Sequence, residues 1–353
     1  MNGVDGQGSG QARPAPRPAD DWRVYRGTGE PHDGWSALPP PPPWREFGPP
    51  PAYAPADDAG GEPAPGDLER ARTYRPAEHV VDLVNAALYL RRPLLVTGKA
   101  GVGKSTLAHS IAYELRLGPV LTWPVTSRSE LRHGLYDYDA IGRLQETPPE
   151  AARSAERPPP GIGRYIRLGP LGTALLPRAR PRVLLVDELD KGDIDLPNDL
   201  LHIFEEGDFT LPELQRLPDA RSGVEVMTSD PLGRARVEGG RVRCHAFPVV
   251  VITSNAEREF PPAFLRRCVR LEIQPHSAEA LAEIVATHLG EAALSRAEPI
   301  IERFLAERRR GEIATDQLLN AVQFAMAGVH VPDGTRSELI EQLLRPLDLP
   351  GST

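Results

Sequence analysis

The chain has 353 residues, 40% of them hydrophobic and 25% charged, which is the balance of a soluble globular protein with one large domain or two ordinary ones. Its formal net charge of −8 argues against a protein that coats nucleic acid through bulk positive charge. The sequence contains neither an apolar run long enough to span a membrane nor the pattern of a signal peptide, so we expect a cytoplasmic protein.

The first segment, residues 1–70, is rich in proline, glycine, alanine and aspartate and poor in aliphatic residues. A segment of this composition buries too little apolar area to offset the entropy lost on ordering. We therefore predict a disordered tail with polyproline II patches. Prolines fill positions 39–43 before Trp44, which leaves two interpretations: a docking arm for an aromatic-lined groove, or a solvated tail.

The strongest motif follows a predicted helix (79–88) and a short apolar strand (94–97). It fits G-x-x-x-x-G-K-[ST], the phosphate-binding P-loop, at every fixed position, and a predicted helix comes next. Glycines let backbone N–H groups point at phosphate oxygens, Lys104 would reach the β- and γ-phosphates, and the Ser105 hydroxyl would bind Mg²⁺. The predicted nucleotide-binding residues are Gly98, Lys99, Ala100, Gly101, Val102, Gly103, Lys104, Ser105 and Thr106.

A second apolar strand, residues 183–186, ends in Asp187 and Glu188. Four consecutive apolar residues predict a central parallel strand, and ligands of open α/β sheets bind at the carboxyl ends of such strands. We expect Asp187 to orient the Mg²⁺ shell and Glu188 to act as base or polariser for the attacking water.

A third strand, residues 248–254, is apolar and β-branched and ends in Asn255. In the same sheet its tip would lie beside the first two. Asn255 could then hydrogen-bond the γ-phosphate or hold the lytic water, whereas an asparagine after a strand is otherwise a common turn residue.

Together these elements resemble the AAA+ superfamily, and in detail the MoxR-like ATPases of its dynein-related branch, over about residues 74–345. The resemblance implies an α/β P-loop fold of the ASCE type, in which helices sandwich a parallel sheet. An ATPase core (71–275) would precede a small all-helical lid (276–353). The supporting runs are Arg92 to Val96, Leu135 to Ala140, Asp187 to Lys191 and Asn198 to Gly207.

The resemblance also implies ATP and Mg²⁺ as cofactors and a hexameric ring in which a neighbour's arginine completes each site. Arg267 aligns best with that arginine, and Arg266 is its rival. The lid of such ATPases commonly carries a second sensor arginine. Here the matching position is Asp316 or Gln317, so this sensor is missing or supplied from elsewhere.

Two inserted regions interrupt the core, a loop at 145–182 and a predicted β-hairpin at 208–246. The first half of the loop, 146–160, is rich in proline, alanine and glutamate and predicts a mobile loop. In the hairpin, residues 234–237 and 241–244 flank a Gly-Gly turn, and their alternating arginines predict one basic face. That face suits an acidic protein segment or a nucleic-acid backbone, or is simply solvated.

Neither the two cysteines nor the scattered histidines have metal-ligand spacing, so we predict no zinc site. Three functions remain. The favoured one is a chaperone-like remodelling ATPase whose partner, as the resemblance implies, bears a von Willebrand factor A domain. The second is a nucleic-acid-directed motor of a restriction or defence system. The third is a nucleotide-gated scaffold or switch with little hydrolysis.

Overall fold

The computed structural model describes residues 22–49, 63–146, 161–217, 223–311, 313–327 and 333–346. The strands within these ranges are β1 (Leu94–Thr97), β2 (Leu121–Pro124), β3 (Tyr136–Tyr138), β4 (Ile166–Leu168), β5 (Val183–Asp187), β6 (Asp208–Thr210), β7 (Val224–Met227), β8 (Arg234–Val237), β9 (Arg241–Arg243), β10 (Val249–Ser254) and β11 (Val269–Glu272). The helices are α1 (Pro65–Thr73), α2 (Glu78–Leu90), α3 (Lys104–Glu114), α4 (Leu131–Leu135), α5 (Ala140–Glu146), α6 (Pro170–Ala174), α7 (Leu196–Glu206), α8 (Pro212–Gln215), α9 (Pro262–Leu265), α10 (Ala278–Leu289), α11 (Leu294–Arg308), α12 (Thr315–Met326) and α13 (Asp333–Leu343).

The central sheet is parallel and has the strand order β11-β1-β10-β5-β2. The three inner strands β1, β10 and β5 are largely apolar because helices cover both faces, whereas the edge strands β11 and β2 alternate between more buried and exposed residues. Leu184 and Val186 of β5 point into one core cluster, and Val183 and Leu185 point into the other. Strand β10 separates β1 from β5, so the strand before the P-loop and the strand that ends in Asp187 are not neighbours. The predicted α/β P-loop fold is confirmed.

Strand β3 and three strands of the two inserted regions form one four-stranded sheet of order β3-β4-β7-β8, and β6 and β9 form a separate two-stranded sheet. The predicted turn at Gly239 and Gly240 is present, with an isolated antiparallel bridge between Glu238 and Arg241. The strands beside it do not form the predicted hairpin, because β8 pairs with β7 and β9 pairs with β6, both antiparallel. The predicted alternation does hold in β8, where Arg234 and Arg236 are exposed and Val237 is buried. The mobile loop predicted at 146–160 lies outside the described residues apart from Glu146, the last residue of α5.

Residues 22–49 form a strap that packs against the core, so the prediction of a disordered tail is wrong for them. Val24 and Tyr25 are buried in the same cluster as residues of α2 and α3, and the Tyr25 hydroxyl hydrogen-bonds Ser110 Oγ at 2.8 Å. Residues 63–70 also belong to the described chain, and from Pro65 they form the first part of α1. The rest of the predicted tail, residues 1–21 and 50–62, lies outside the described ranges.

The strap is held chiefly by Glu114, the last residue of α3, whose side chain is fully buried. Its carboxylate accepts hydrogen bonds from four successive backbone N–H groups, those of residues 26–29. His32 Nε2 lies 3.3 Å from the same carboxylate. A few polar anchors of this kind order a segment that its average composition marks as disordered.

Glu114→Gln should lower the free energy of unfolding by about 2 kcal/mol, because one carboxamide oxygen cannot accept from all four N–H groups and the carboxamide NH₂ would face the others. Denaturant titration measures the loss, and hydrogen exchange at residues 26–29 should accelerate. Glu302→Gln, at an exposed position of α11, is the matched control. Equal unfolding midpoints for the two variants would contradict the anchoring role.

The last four helices, α10 to α13, have a hydrophobic core of their own. Ser277 caps α10 as its side chain accepts a hydrogen bond from Ala280 N at 3.2 Å. Helix α12 begins at Thr315. The predicted all-helical lid is confirmed. Among the described residues, no helix has the length and apolar character that crossing a bilayer requires.

Candidate nucleotide-binding site

The P-loop connects β1 to the first turn of α3 through backbone conformations that glycine adopts freely. Gly101 and Gly103 have φ values of +72° and +90°, in the left-handed region. A Cβ atom at Gly101 would lie only 2.6 Å from Ala314 Cβ, just before α12. The lid therefore packs directly on the loop, and the loop needs glycine there for both conformation and space.

Lys104, the first residue of α3, has a buried side chain that lies between two of the predicted motifs. Its Nζ donates to the carbonyl oxygens of Gly98 and Lys99, each at 2.8 Å. It also donates to Asn255 Oδ1 at 2.7 Å. The ammonium group and the carboxamide thus meet at the carboxyl ends of β1 and β10, where the γ-phosphate of a nucleotide in the P-loop would lie.

The two predicted Mg²⁺ ligands also meet, since Ser105 Oγ donates to Asp187 Oδ1 at 2.7 Å. Hydroxyl and carboxylate oxygens are ligands that Mg²⁺ prefers, and this ion usually completes its shell with water and phosphate oxygens. In the described parts of the chain, no group of three or more His, Cys, Asp or Glu residues could hold a metal by itself. The donor set therefore fits a nucleotide-bound Mg²⁺ rather than a metal held by protein ligands alone.

Glu188 follows Asp187 in a left-handed conformation, with φ 58° and ψ 50°. This conformation costs a non-glycine residue about 1–2 kcal/mol and needs support from its surroundings. The support is visible: the Glu188 backbone N–H donates to Thr253 Oγ1 at 2.8 Å. The turn leaves Glu188 exposed at the carboxyl end of β5.

Several residues near this site escaped the sequence prediction. The Thr253 hydroxyl hydrogen-bonds the tip of β5, and the Asp190 carboxylate hydrogen-bonds the backbone just after β10. At the P-loop, the Tyr74 ring packs on Gly103, and the His276 side chain hydrogen-bonds the Val102 backbone. Burial, with the nearby Arg308 charge, lowers the pKa of His276. Only Thr253 and Asp190 had a sequence signal, since each lies within three residues of a predicted site residue.

Arg266 and Arg267 lie at the amino-terminal ends of the sheet strands, whereas the P-loop lies at their carboxyl ends. They precede β11, whose first residue pairs with Leu94, the first residue of β1, whereas the P-loop follows the last. With a rise of about 3.3 Å per residue, the length of β1 separates the two ends of the strands by roughly 10 Å or more. Neither arginine can therefore complete the nucleotide site of its own chain.

The two arginines differ in their surroundings. Arg267 forms an ion pair with Glu205 and donates to the Ala263 carbonyl oxygen at 3.0 Å. The Arg266 side chain is exposed. Arg266 is therefore the more accessible of the two side chains.

The start of α12 has no arginine at the position of the second sensor. Asp316 is exposed. Gln317 binds within the lid: its Oε1 accepts from Ala314 N at 2.9 Å, and its Nε2 donates to the carbonyl oxygen of Leu343 at 3.1 Å. This position therefore supplies no positive side chain to the site.

The arginines of β8 and β9 have acidic neighbours in the same chain. Arg234 lies 3.5 Å from Glu225, and Arg241 forms an ion pair with Asp208. These carboxylates offset much of the positive charge that the alternating pattern suggested. Burial raises the pKa of the Cys244 thiol at the end of β9 to about 12, which makes this cysteine a poor ligand or nucleophile.

Residues 93–268 match the family model of the AAA domain of the dynein-related subfamily. The match runs from the start of β1 to the arginine pair before β11, and so includes every strand tip that forms the site. This part of the chain is therefore similar to the AAA domains of AAA+ ATPases, a family that in general binds and hydrolyses nucleotides. No curated protein matches the chain at a significant level.

Proposed function

We propose that this protein is a MoxR-like AAA+ ATPase that hydrolyses ATP with Mg²⁺ and uses the cycle to remodel a protein partner. The observation that carries the ATPase assignment is the pair of contacts that joins three motifs distant in sequence. Lys104 Nζ contacts Asn255 Oδ1, and Ser105 Oγ contacts Asp187 Oδ1, each at 2.7 Å. The P-loop, the acidic tip of β5 and Asn255 after β10 therefore meet at the carboxyl ends of the strands, which supports a phosphate-binding role.

Each of these residues has a defined task in hydrolysis. Lys104 and the P-loop N–H groups bind the β- and γ-phosphates, and Asn255 orients the water that attacks the γ-phosphorus. Glu188 accepts the proton of that water as the bond to the ADP oxygen breaks. Bound Mg²⁺, held at Ser105 and Asp187, would neutralise charge that develops on the phosphate oxygens.

We propose further that the active form is a ring, hexameric as in the proteins it resembles, with ATP between subunits. Arg266 and Arg267 lie at the ends of the strands far from their own P-loop, and this position supports a role at the nucleotide site of a neighbouring subunit. An arginine supplied from a neighbour contributes on the order of 10³–10⁵ in rate in comparable NTPases.

The test is Mg²⁺-dependent ATP hydrolysis per chain over a wide range of protein concentration, for the wild type, Arg266→Ala and Arg267→Ala. Specific activity should rise with concentration, and one of the two variants should lose at least about 100-fold. Arg270→Ala, which removes an exposed arginine of β11, is the control and should remain active. Activity that is flat with concentration and insensitive to both variants would favour the nucleotide-gated switch instead.

The proposed partner is a protein, of the class with a von Willebrand factor A domain. The acidic net charge of −8 and the ion pairs of the β8 and β9 arginines both count against a nucleic-acid motor. Binding to a labelled DNA duplex across a salt series separates these functions, because phosphate contacts make affinity fall steeply with salt. Tight, salt-sensitive binding would revive the nucleic-acid function.

A further inference from the structure

Two side chains outside the predicted site connect the tip of β5 to the tip of β10. Thr253 lies on β10 and is fully buried. Its hydroxyl donates to Asp187 Oδ1 at 2.6 Å and accepts the Glu188 N–H at 2.8 Å. One hydroxyl thus contacts both acidic residues of the strand tip, the carboxylate of one and the backbone of the other.

The second connection runs in the opposite direction. Asp190 lies in the short helical turn after Glu188, and its side chain is buried. Its Oδ2 accepts hydrogen bonds from the backbone N–H groups of Asn255 at 3.0 Å and Glu257 at 3.2 Å. The carboxylate therefore closes the turn that presents the Asn255 side chain to Lys104.

We infer that Thr253 and Asp190 are positioning residues that hold Glu188 and Asn255 in one fixed relation for attack on the γ-phosphate, an inference that rests on the proposed ATPase function. Strands β5 and β10 are neighbours, but backbone pairing ends at Val186 and Ile252. Beyond that point, these side-chain bonds connect the two tips. In the left-handed turn at Glu188, the backbone N–H hydrogen-bonds the Thr253 hydroxyl. Loss of that hydrogen bond lets the turn relax and displaces the Glu188 carboxylate.

The role differs from nucleotide binding. Lys104 and Ser105 belong to the loop and helix that contact phosphate, whereas Thr253 and Asp190 contact the backbone N–H groups of Glu188, Asn255 and Glu257, and Thr253 also orients the Asp187 carboxylate. Removing either side chain should therefore slow turnover while ATP binding persists. A general base contributes about 10²–10⁴-fold, so misplacing it should cost a sizeable part of that factor.

The experiment compares kcat, KM and the ATP dissociation constant for Thr253→Val and Thr253→Ser. Thr253→Val should lower kcat at least about tenfold and leave the dissociation constant within about threefold, whereas Thr253→Ser, which keeps the hydroxyl, should restore kcat. Thr228→Val is the matched control, because Thr228 is an equally buried threonine whose hydroxyl has no hydrogen-bond partner among the described residues.

Asp190 has its own conservative pair. Asp190→Ala should lower kcat in the same way, whereas Asp190→Asn should lose less, because one carboxamide oxygen can still accept both N–H groups. Normal kcat in folded Thr253→Val and Asp190→Ala would overturn the inference. A parallel loss of binding and turnover without rescue by serine would also overturn it, since that is the signature of a merely structural role.

Amide hydrogen exchange separates this inference from the proposed function. Thr253→Val should speed exchange at Glu188, and Asp190→Ala should speed it at Asn255 and Glu257, whether or not the protein hydrolyses ATP. If the wild type is inactive but these amides respond, the ATPase proposal fails and the connection between the strand tips stands. If the wild type hydrolyses ATP and the amides do not respond, the inference about Thr253 and Asp190 fails alone.

Discussion

Glu188→Gln is expected to bind ATP about as well as the wild type and to hydrolyse it on the order of 10²–10⁴ times more slowly. The carboxamide has nearly the size of the carboxylate but cannot accept a proton from water. The backbone N–H bond to Thr253 Oγ1 is independent of this side chain, so the turn should keep its conformation. Steady-state hydrolysis and equilibrium binding of ATP measure the two effects separately.

The matched control for Glu188 is Glu283→Gln, the same chemical change at an exposed position of α10 in the lid. It should leave both kcat and ATP affinity unchanged. If two subunits share each ATP site, as proposed, Glu188→Gln should also accumulate as an ATP-bound assembly. This assembly should elute as a larger species in size-exclusion chromatography with ATP. Wild-type turnover in Glu188→Gln would remove this residue from the mechanism.

Lys104→Ala should weaken ATP binding about 100-fold or more, because charge-assisted hydrogen bonds to phosphate are the strong ones and Lys104 would make more than one. The variant should remain folded, since the partners of Nζ include two loop carbonyls that water can reach once the side chain is removed. Titration with a fluorescent ATP analogue measures affinity, and thermal unfolding checks the fold.

Arg303→Ala is the control for lost positive charge, because Arg303 pairs with Glu341 in the lid rather than lying in the site. Its ATP affinity should equal that of the wild type. Inorganic phosphate should displace the ATP analogue more readily from Arg303→Ala than from Lys104→Ala, because the proposed phosphate-binding ammonium is present only in the former. Unchanged ATP binding in Lys104→Ala would contradict the phosphate assignment.

Three parts of the site were readable from the sequence because each is a local pattern. The P-loop needs glycine where φ is positive, as at Gly101 and Gly103, and lysine and serine at the first turn of the helix that follows. The acidic pair and Asn255 each follow an apolar strand, and strand tips of a parallel sheet share one edge. The lid helices followed from apolar spacing and from the Ser277 cap.

The tertiary structure decided the contacts between distant segments. The order β1-β10-β5 lets Thr253 reach Asp187 and Glu188, which no spacing in the sequence reveals. The tertiary structure also decided that β8 pairs with β7 rather than β9, with Val237 opposite Val224 in the same core cluster.

The strap shows why composition failed where local motifs succeeded. The average composition of residues 22–49 is that of a proline-rich tail, but hydrogen bonds to the buried Glu114 carboxylate and the burial of Tyr25 stabilise them against the core. The sequence by itself determined which residues are candidates for phosphate binding, because the P-loop pattern lies within a few consecutive residues. Only the tertiary structure determined what holds those residues in register, because burial and hydrogen bonding act between segments far apart in the chain.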